Sequence, residues 1–200
     1  MLDPLLDLPE LAFLDEGRTS LFTMNAFAYS TADDPEAQAD PMLGKLSDRI
    51  VFGDGILDFM EFVGLEAYGP QSIMAHEFAH HIQYERNVVF DAADPADQPE
   101  STRRTELMAD ALASYYMAHK RGMTLNKHRI VEVPETFGQV GDCGFDAPGH
   151  HGMPSQRRAA ALWGIDQAAS AHKKGHVLPS ATMIQRFEEA LPDLVAPDAR

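Results

Sequence analysis

His76-Glu77-Phe78-Ala79-His80 is the string in this sequence that carries chemistry by type and spacing. Residues four apart on a helix lie one above the other, so both imidazoles can reach one metal ion, while Glu77, one step round, can face a water beside it. A tetrahedral catalytic zinc needs a third protein ligand and an open position. Twenty-five residues separate His80 from Glu106, enough to end one helix, turn and bring a second one back antiparallel. Glu106 and Asp110 are again four apart, within Glu106-Leu107-Met108-Ala109-Asp110. One carboxylate can therefore bind metal while the other holds a ligand imidazole from behind. The apolar residues around the pair argue against a merely solvated face.

These side chains need two long helices, and the sequence supplies them. Gly69-Pro70 marks a boundary, and Gln71 to Arg86 reads as a helix with Asn87 as its left-handed cap. After a Pro/Asp loop at 91–100, Ser101 or Thr102 can cap a second helix ending near Gly122. Ahead of them, 22–29 and 49–52 have strand composition, separated by an acidic loop at 31–48, and can pair as a small sheet. Residues 56–63 have helical spacing. Downstream, 134–154 reads as irregular, 156–174 as an Ala-rich helix with Gly175 beyond it, and Pro179-Ser180 opens a helix with Met183, Ile184, Phe187 and Leu191 on one stripe. The expected fold class is α+β and mainly helical, with the small sheet ahead of the helix that bears the histidines.

The chain has 200 residues, a size suited to a single domain, and 31 acidic against 16 basic residues give a net charge of -15. Such a balance argues against nucleic acid or an anionic membrane as partner. No apolar run approaches the roughly 18 residues of a membrane span, and no signal peptide is visible, so a soluble, cytoplasmic protein is the favoured expectation. Cys143 is the sole cysteine, which excludes an internal disulfide. It is expected as a small buried hydrophobe, with a latency role at the metal as the alternative. His81 lies about 100° round the helix from His80 and is expected to have a bland role. His119, His128, His172 and His176 are expected to be exposed.

H-E-x-x-H followed by E-x-x-A-D resembles the gluzincin-type neutral zinc metallopeptidases, in particular the HtpX-like and YpfJ-like ones. Asn25-Ala26-Phe27-Ala28, Ile50-Val51-Phe52 and Gly53-Asp54-Gly55-Ile56-Leu57 are similar to the segments those families place before the zinc helix. His151-Gly152-Met153-Pro154-Ser155-Gln156-Arg157 is similar to their late His...Arg segment. The resemblance spans about residues 22–165 and departs from the HtpX type in lacking membrane spans, in Gly152 where that type has Pro, and in its long 31–48 loop.

The resemblance implies a zinc-dependent metalloendopeptidase acting on a peptide or unfolded protein. His76, His80 and Glu106 would bind Zn²⁺, Glu77 would be the general base for the attacking water, and Asp110 would support a ligand histidine. Strand 25–29 or 50–52 would offer an edge to an extended peptide. An oxyanion donor is also needed, from among His150, His151, Arg157, Tyr115 and Tyr116. His151 and Arg157 are favoured, with Arg157 alternatively a partner of the site's carboxylates. A non-catalytic zinc-stabilised or regulatory module, or a latent precursor with a covered site, is the alternative reading.

Overall fold

The computed structural model describes residues 25–30, 39, 48–88, 93–144, 146–147 and 149–195, and the backbone of 10–14. It is mainly helical with a small mixed sheet, in accord with the expected α+β class. Strands β1 (Glu10–Leu14), β2 (Ala26–Tyr29) and β3 (Arg49–Gly53) lie in the order β1-β3-β2. β3 pairs parallel with β1 and antiparallel with β2, with Phe27 opposite Val51. The expected pair thus forms, but β3 is central. Only β2 of that pair is an edge, which removes 50–52 as a docking edge for a peptide. β1 is an unforeseen strand, because the prolines and acids around Leu11-Ala12-Phe13-Leu14 hide its apolar content. Residues 22–24 of the expected strand lie outside the described residues.

β3 is apolar and almost wholly buried, and Gly53 releases the chain into α1 (Asp54–Phe62), with Asp54 in its first turn. Phe52, Ile56, Met60, Leu65 and Ile73 form one core cluster under the sheet. α2 (Gly69–Glu85) starts with Pro70 in its first turn, where a missing N–H costs nothing. Asn87 at φ 54° ends it in the left-handed region, as expected.

α3 (Gln98–Ala118) has its N-cap at Asp97, four or five residues before the expected Ser101 or Thr102. Its N-terminal signal is Asp94, which accepts a hydrogen bond from the Ala96 N–H at 2.9 Å and starts a 3₁₀ turn at Pro95–Asp97 that runs into the helix. It stops at Ala118 rather than near Gly122, because His119 is extended (φ -73°, ψ 141°). Gly122 lies in the turn beyond, where a Cβ would come within 1.9 Å of the Tyr116 carbonyl oxygen.

The expectation of an irregular 134–154 is corrected by α4 (Glu132–Gln139). Glu132 and Glu135 suit the positive end of its dipole, Pro134 falls in the tolerated first turn, and Val133, Thr136 and Phe137 are buried. The glycine and proline content that suggested a loop belongs mostly to 141–154. α5 (Pro154–Lys173) and α6 (Ser180–Leu194) match expectation, with Gly175 at φ 67° after α5. Small residues on α5, including Ala160, Ala161 and Ala168, let it pack directly on α3. The approach is closest at Gly164, where a Cβ would lie 2.1 Å from the Ala111 carbonyl oxygen. α2, α3 and α5 thus form the frame on which the charged residues meet.

Candidate metal centre

α2 and α3 run antiparallel, so their side chains match in opposite order: His76 meets Asp110, His80 meets Glu106, and Gln83 meets Thr105. His76, His80 and Glu106 each direct a donor atom to one point, with all three atoms within 4.8 Å of one another. The His76 and His80 Nε2 atoms are 3.0 Å apart, and they lie 3.2 and 3.3 Å from the Glu106 carboxylate oxygens.

The other side of each ring faces an oxygen acceptor. His76 Nδ1 is 2.9 Å from Asp110 Oδ1, a carboxylate oxygen that can only accept. His80 Nδ1 is 2.7 Å from Gln83 Oε1, and the Gln83 amide is oriented by donating from Nε2 to the Thr105 carbonyl at 2.8 Å. With each ring proton on Nδ1, toward Asp110 and Gln83, both Nε2 lone pairs would face each other and the Glu106 carboxylate. Lone pairs converging at this range in a buried site repel unless a cation lies among them. Charge counting agrees: Glu77, Glu106 and Asp110 bring three negative charges and Arg157 one positive, so this poorly solvated group stands at -2 with neutral imidazoles. A divalent ion neutralises it, and two imidazoles with a carboxylate are a donor set that zinc accepts.

The proton affinities show the same demand. Burial opposes charge on His76, yet Asp110 and Glu106 outweigh it and raise its pKa to about 10. Burial likewise opposes a charged Glu106, and His80 and His76 more than offset it, holding its carboxyl well below the ordinary range. Glu77 is 5% exposed and lines the same cleft as His76 and His80. Burial raises its pKa, against the pull of His76 and His80, while its carboxylate accepts a hydrogen bond from the Ala28 N–H of β2.

Arg157, on α5, is 2% exposed and forks Asp110, donating from Nε and Nη2 at 2.8 Å each. Its Nη2 is 3.6 Å from Glu106, and its charge is held by Asp110, Glu106 and Glu77 against the cost of burial. The guanidinium is thus committed to the Asp110 and Glu106 carboxylates. Asp110 is fully buried, so the solvated-face alternative for it fails.

His151 is half exposed and lines the same cleft as His76, Glu77, His80 and Glu106, whose volume is about 490 Å³. Its ring Nδ1 is 3.2 Å from Asp142 Oδ2, and its backbone N–H donates to the same oxygen at 2.8 Å. His150 is buried, with Nδ1 2.6 Å from Asp142 Oδ1. Asp142 also accepts the Gly144 N–H, and against some desolvation these donors hold its carboxyl far below the ordinary range. Of the remaining oxyanion candidates, Tyr115 spends its hydroxyl on the Leu178 N–H, and it and Tyr116 line a different cavity.

That second cavity, about 690 Å³, lies on the Met74, Phe78 and Ile82 face of α2 and is lined by no His, Asp or Glu. It has no chemistry to compare with the cleft.

Sequence reasoning missed Gln83, Thr105 and Asp142. For Gln83 a signal exists: it is three residues after His80, on the same helix face. Asp142 has none, because its partners are fixed by a loop. Two other expectations are corrected. Cys143 is exposed rather than buried, since the 141–144 turn faces solvent. His119 is buried, not exposed: its ring stacks on Tyr115, its Nε2 donates to the His176 carbonyl and its Nδ1 accepts the Arg121 N–H.

No protein-family profile, no curated protein and no solved structure matches this chain. No helix among the described residues is long and apolar enough to cross a membrane.

Proposed function

We propose that the chain is a zinc-dependent endopeptidase with a zincin-like, gluzincin-type centre, hydrolysing extended peptide or unfolded protein. The observation that carries this reading is the convergence of His76 Nε2, His80 Nε2 and the Glu106 carboxylate, with both Nδ1 atoms anchored and Glu77 alongside. Glu77 has no part in holding the ion, and a catalytic base is the role that its place and raised pKa suit.

His76, His80 and Glu106 would hold Zn²⁺, which would supply a Lewis acid to polarise a carbonyl and bring the pKa of a water down to about 7. Glu77 takes the proton of the attacking water and returns it to the departing amine. The Ala28 N–H steadies the Glu77 carboxylate while it waits in the charged form. His151, held at the cleft through its contacts with Asp142, offers a ring N–H to the tetrahedral oxyanion. Arg157 holds Asp110, and Asp110 holds His76; both are positioning residues. The peptide lies in the cleft past Asn25 and Ala26, where the Ala26 carbonyl accepts from it, the Ala26 N–H being held by Asn25 Oδ1 at 3.0 Å and the Asn25 carbonyl by the Gly53 N–H at 2.9 Å. At Ala28 the outer edge of β2 is already engaged, its N–H by Glu77 and its carbonyl by the Tyr84 hydroxyl at 3.3 Å.

Three donors converge among the described residues, not four, which favours a catalytic centre over a purely stabilising one. The test is to incubate the zinc-loaded chain with a reduced, carboxymethylated protein and map new termini by mass spectrometry. Internal cleavage that a chelator abolishes and Zn²⁺ restores is expected. Stoichiometric zinc with no cleavage would favour the non-catalytic module.

A further inference from the structure

The helix that presents His76 and His80 to the cleft presents a second donor set in another direction. His81 and Glu85 are four apart on α2, so their side chains stand one above the other. Asp48 immediately precedes β3 and meets them from the sheet. One donor atom from each of the three lies within 4.8 Å of the others.

His81 is 1% exposed, packed edge-on against Phe78 at 5.7 Å, so its ring direction is set by the core and not by solvent. Its Nδ1 is 3.5 Å from Asp48 Oδ2. A direct charge-assisted hydrogen bond would close to roughly 2.7–2.9 Å. Two ligands on a tetrahedral ion at about 2.0–2.1 Å are instead about 3.3 Å apart. That separation is also found in the first site, where His76 and His80 lie 3.2 and 3.3 Å from Glu106.

From this geometry we propose a second divalent-cation site formed by Asp48, His81 and Glu85. One imidazole and two carboxylates make a borderline-to-hard donor set, suited to Zn²⁺ and similar ions. The site's role is structural. It ties the start of β3 to the last turn of α2, and β3 carries the edge strand β2, whose Ala28 N–H reaches Glu77. A cation there fixes the sheet side of the cleft against the histidine helix. Nothing in this inference depends on peptidase activity.

Equilibrium dialysis of the full chain against Zn²⁺ tests it, comparing wild type, Asp48→Asn/Glu85→Gln and His76→Gln/His80→Gln, with folding verified by circular dichroism. Two equivalents in wild type and one in each variant are expected. One equivalent in wild type that survives His76→Gln/His80→Gln but is lost in Asp48→Asn/Glu85→Gln would uphold this site and overturn the other. Equal zinc content in wild type and Asp48→Asn/Glu85→Gln would overturn the proposal. Should the double variants not fold, Glu85→Gln alone decides: an affinity for one equivalent reduced at least about tenfold supports the site, and unchanged affinity refutes it.

Discussion

Replacing Asp110 by Asn separates what holds the fold from what holds the metal. The carboxylate is fully buried, receives two 2.8 Å hydrogen bonds from Arg157, and lies 2.9 Å from His76 Nδ1. Asn keeps the shape and one acceptor but leaves the Arg157 guanidinium, 2% exposed, short of its counter-charge. Breaking one side of a buried pair costs roughly 3–5 kcal/mol, and the retained acceptor and Glu106 at 3.6 Å argue for the lower end, about 3 kcal/mol. For a chain of this size that lowers the melting temperature of the metal-free protein by about 6–12 °C. Loss of the charge behind His76 also weakens zinc by about 10–100-fold, equivalent to about 1.4–2.8 kcal/mol. Thermal melts with chelator and zinc competition against a chromophoric chelator measure the two effects separately. The double variant Asp110→Leu/Arg157→Met removes both charges, so it should recover most of the stability but none of the zinc affinity. A melting point within about 2 °C of wild type, with unchanged zinc affinity, for Asp110→Asn would refute the reasoning.

Three further outcomes are expected. His151→Ala should lower kcat by about 10²–10³ with zinc content unchanged, and an unaltered kcat would remove His151 from the oxyanion role. Gly164→Val should destabilise by about 3 kcal/mol or more, measured by urea unfolding, because even a Cβ would lie 2.1 Å from a backbone oxygen of α3; a stability within about 0.5 kcal/mol of wild type would contradict that close approach. In the metal-free protein His76 has its pKa raised to about 10 from an ordinary 6.5, so its stabilising contribution is complete below pH 6.5 and disappears as pH rises through 10. The stability gap between wild type and His76→Gln in chelator should therefore close between those pH values; a gap that stays constant or widens contradicts the charged His76.

The convergence of His76, His80 and Glu106 was legible in the sequence because each half of it is local. His76 and His80 are four apart on one helix, as are Glu106 and Asp110 on the next, and antiparallel packing is the natural outcome of the intervening turn. The long helices were legible from apolar spacing, while their limits were set by Asp94 at one end and the extended His119 at the other. α4 was hidden because its prolines and glycines were counted with the loop that follows, whereas its burial against α3 and α5 depends on tertiary packing. β1 was hidden because it gains its pairing from β3, 39 positions away at Glu10 and Arg49. The same limit applies to Asp142, whose carboxylate joins His150, His151 and Gly144 through a loop. His81 has the reverse history. Its angle on the helix correctly removed it from the first site, but Asp48, which gives it a second set of partners, belongs to the sheet.

In the proposed mechanism Glu77 acts on a water at a centre held by His76, His80 and Glu106. The most direct test is the rate of cleavage of an unfolded protein by wild type and Glu77→Gln at equal zinc loading. Glu77 is not among the three converging donors, so the variant should keep its zinc and lose about 10²–10⁴ in kcat. Equal rates from equally loaded proteins would contradict the account.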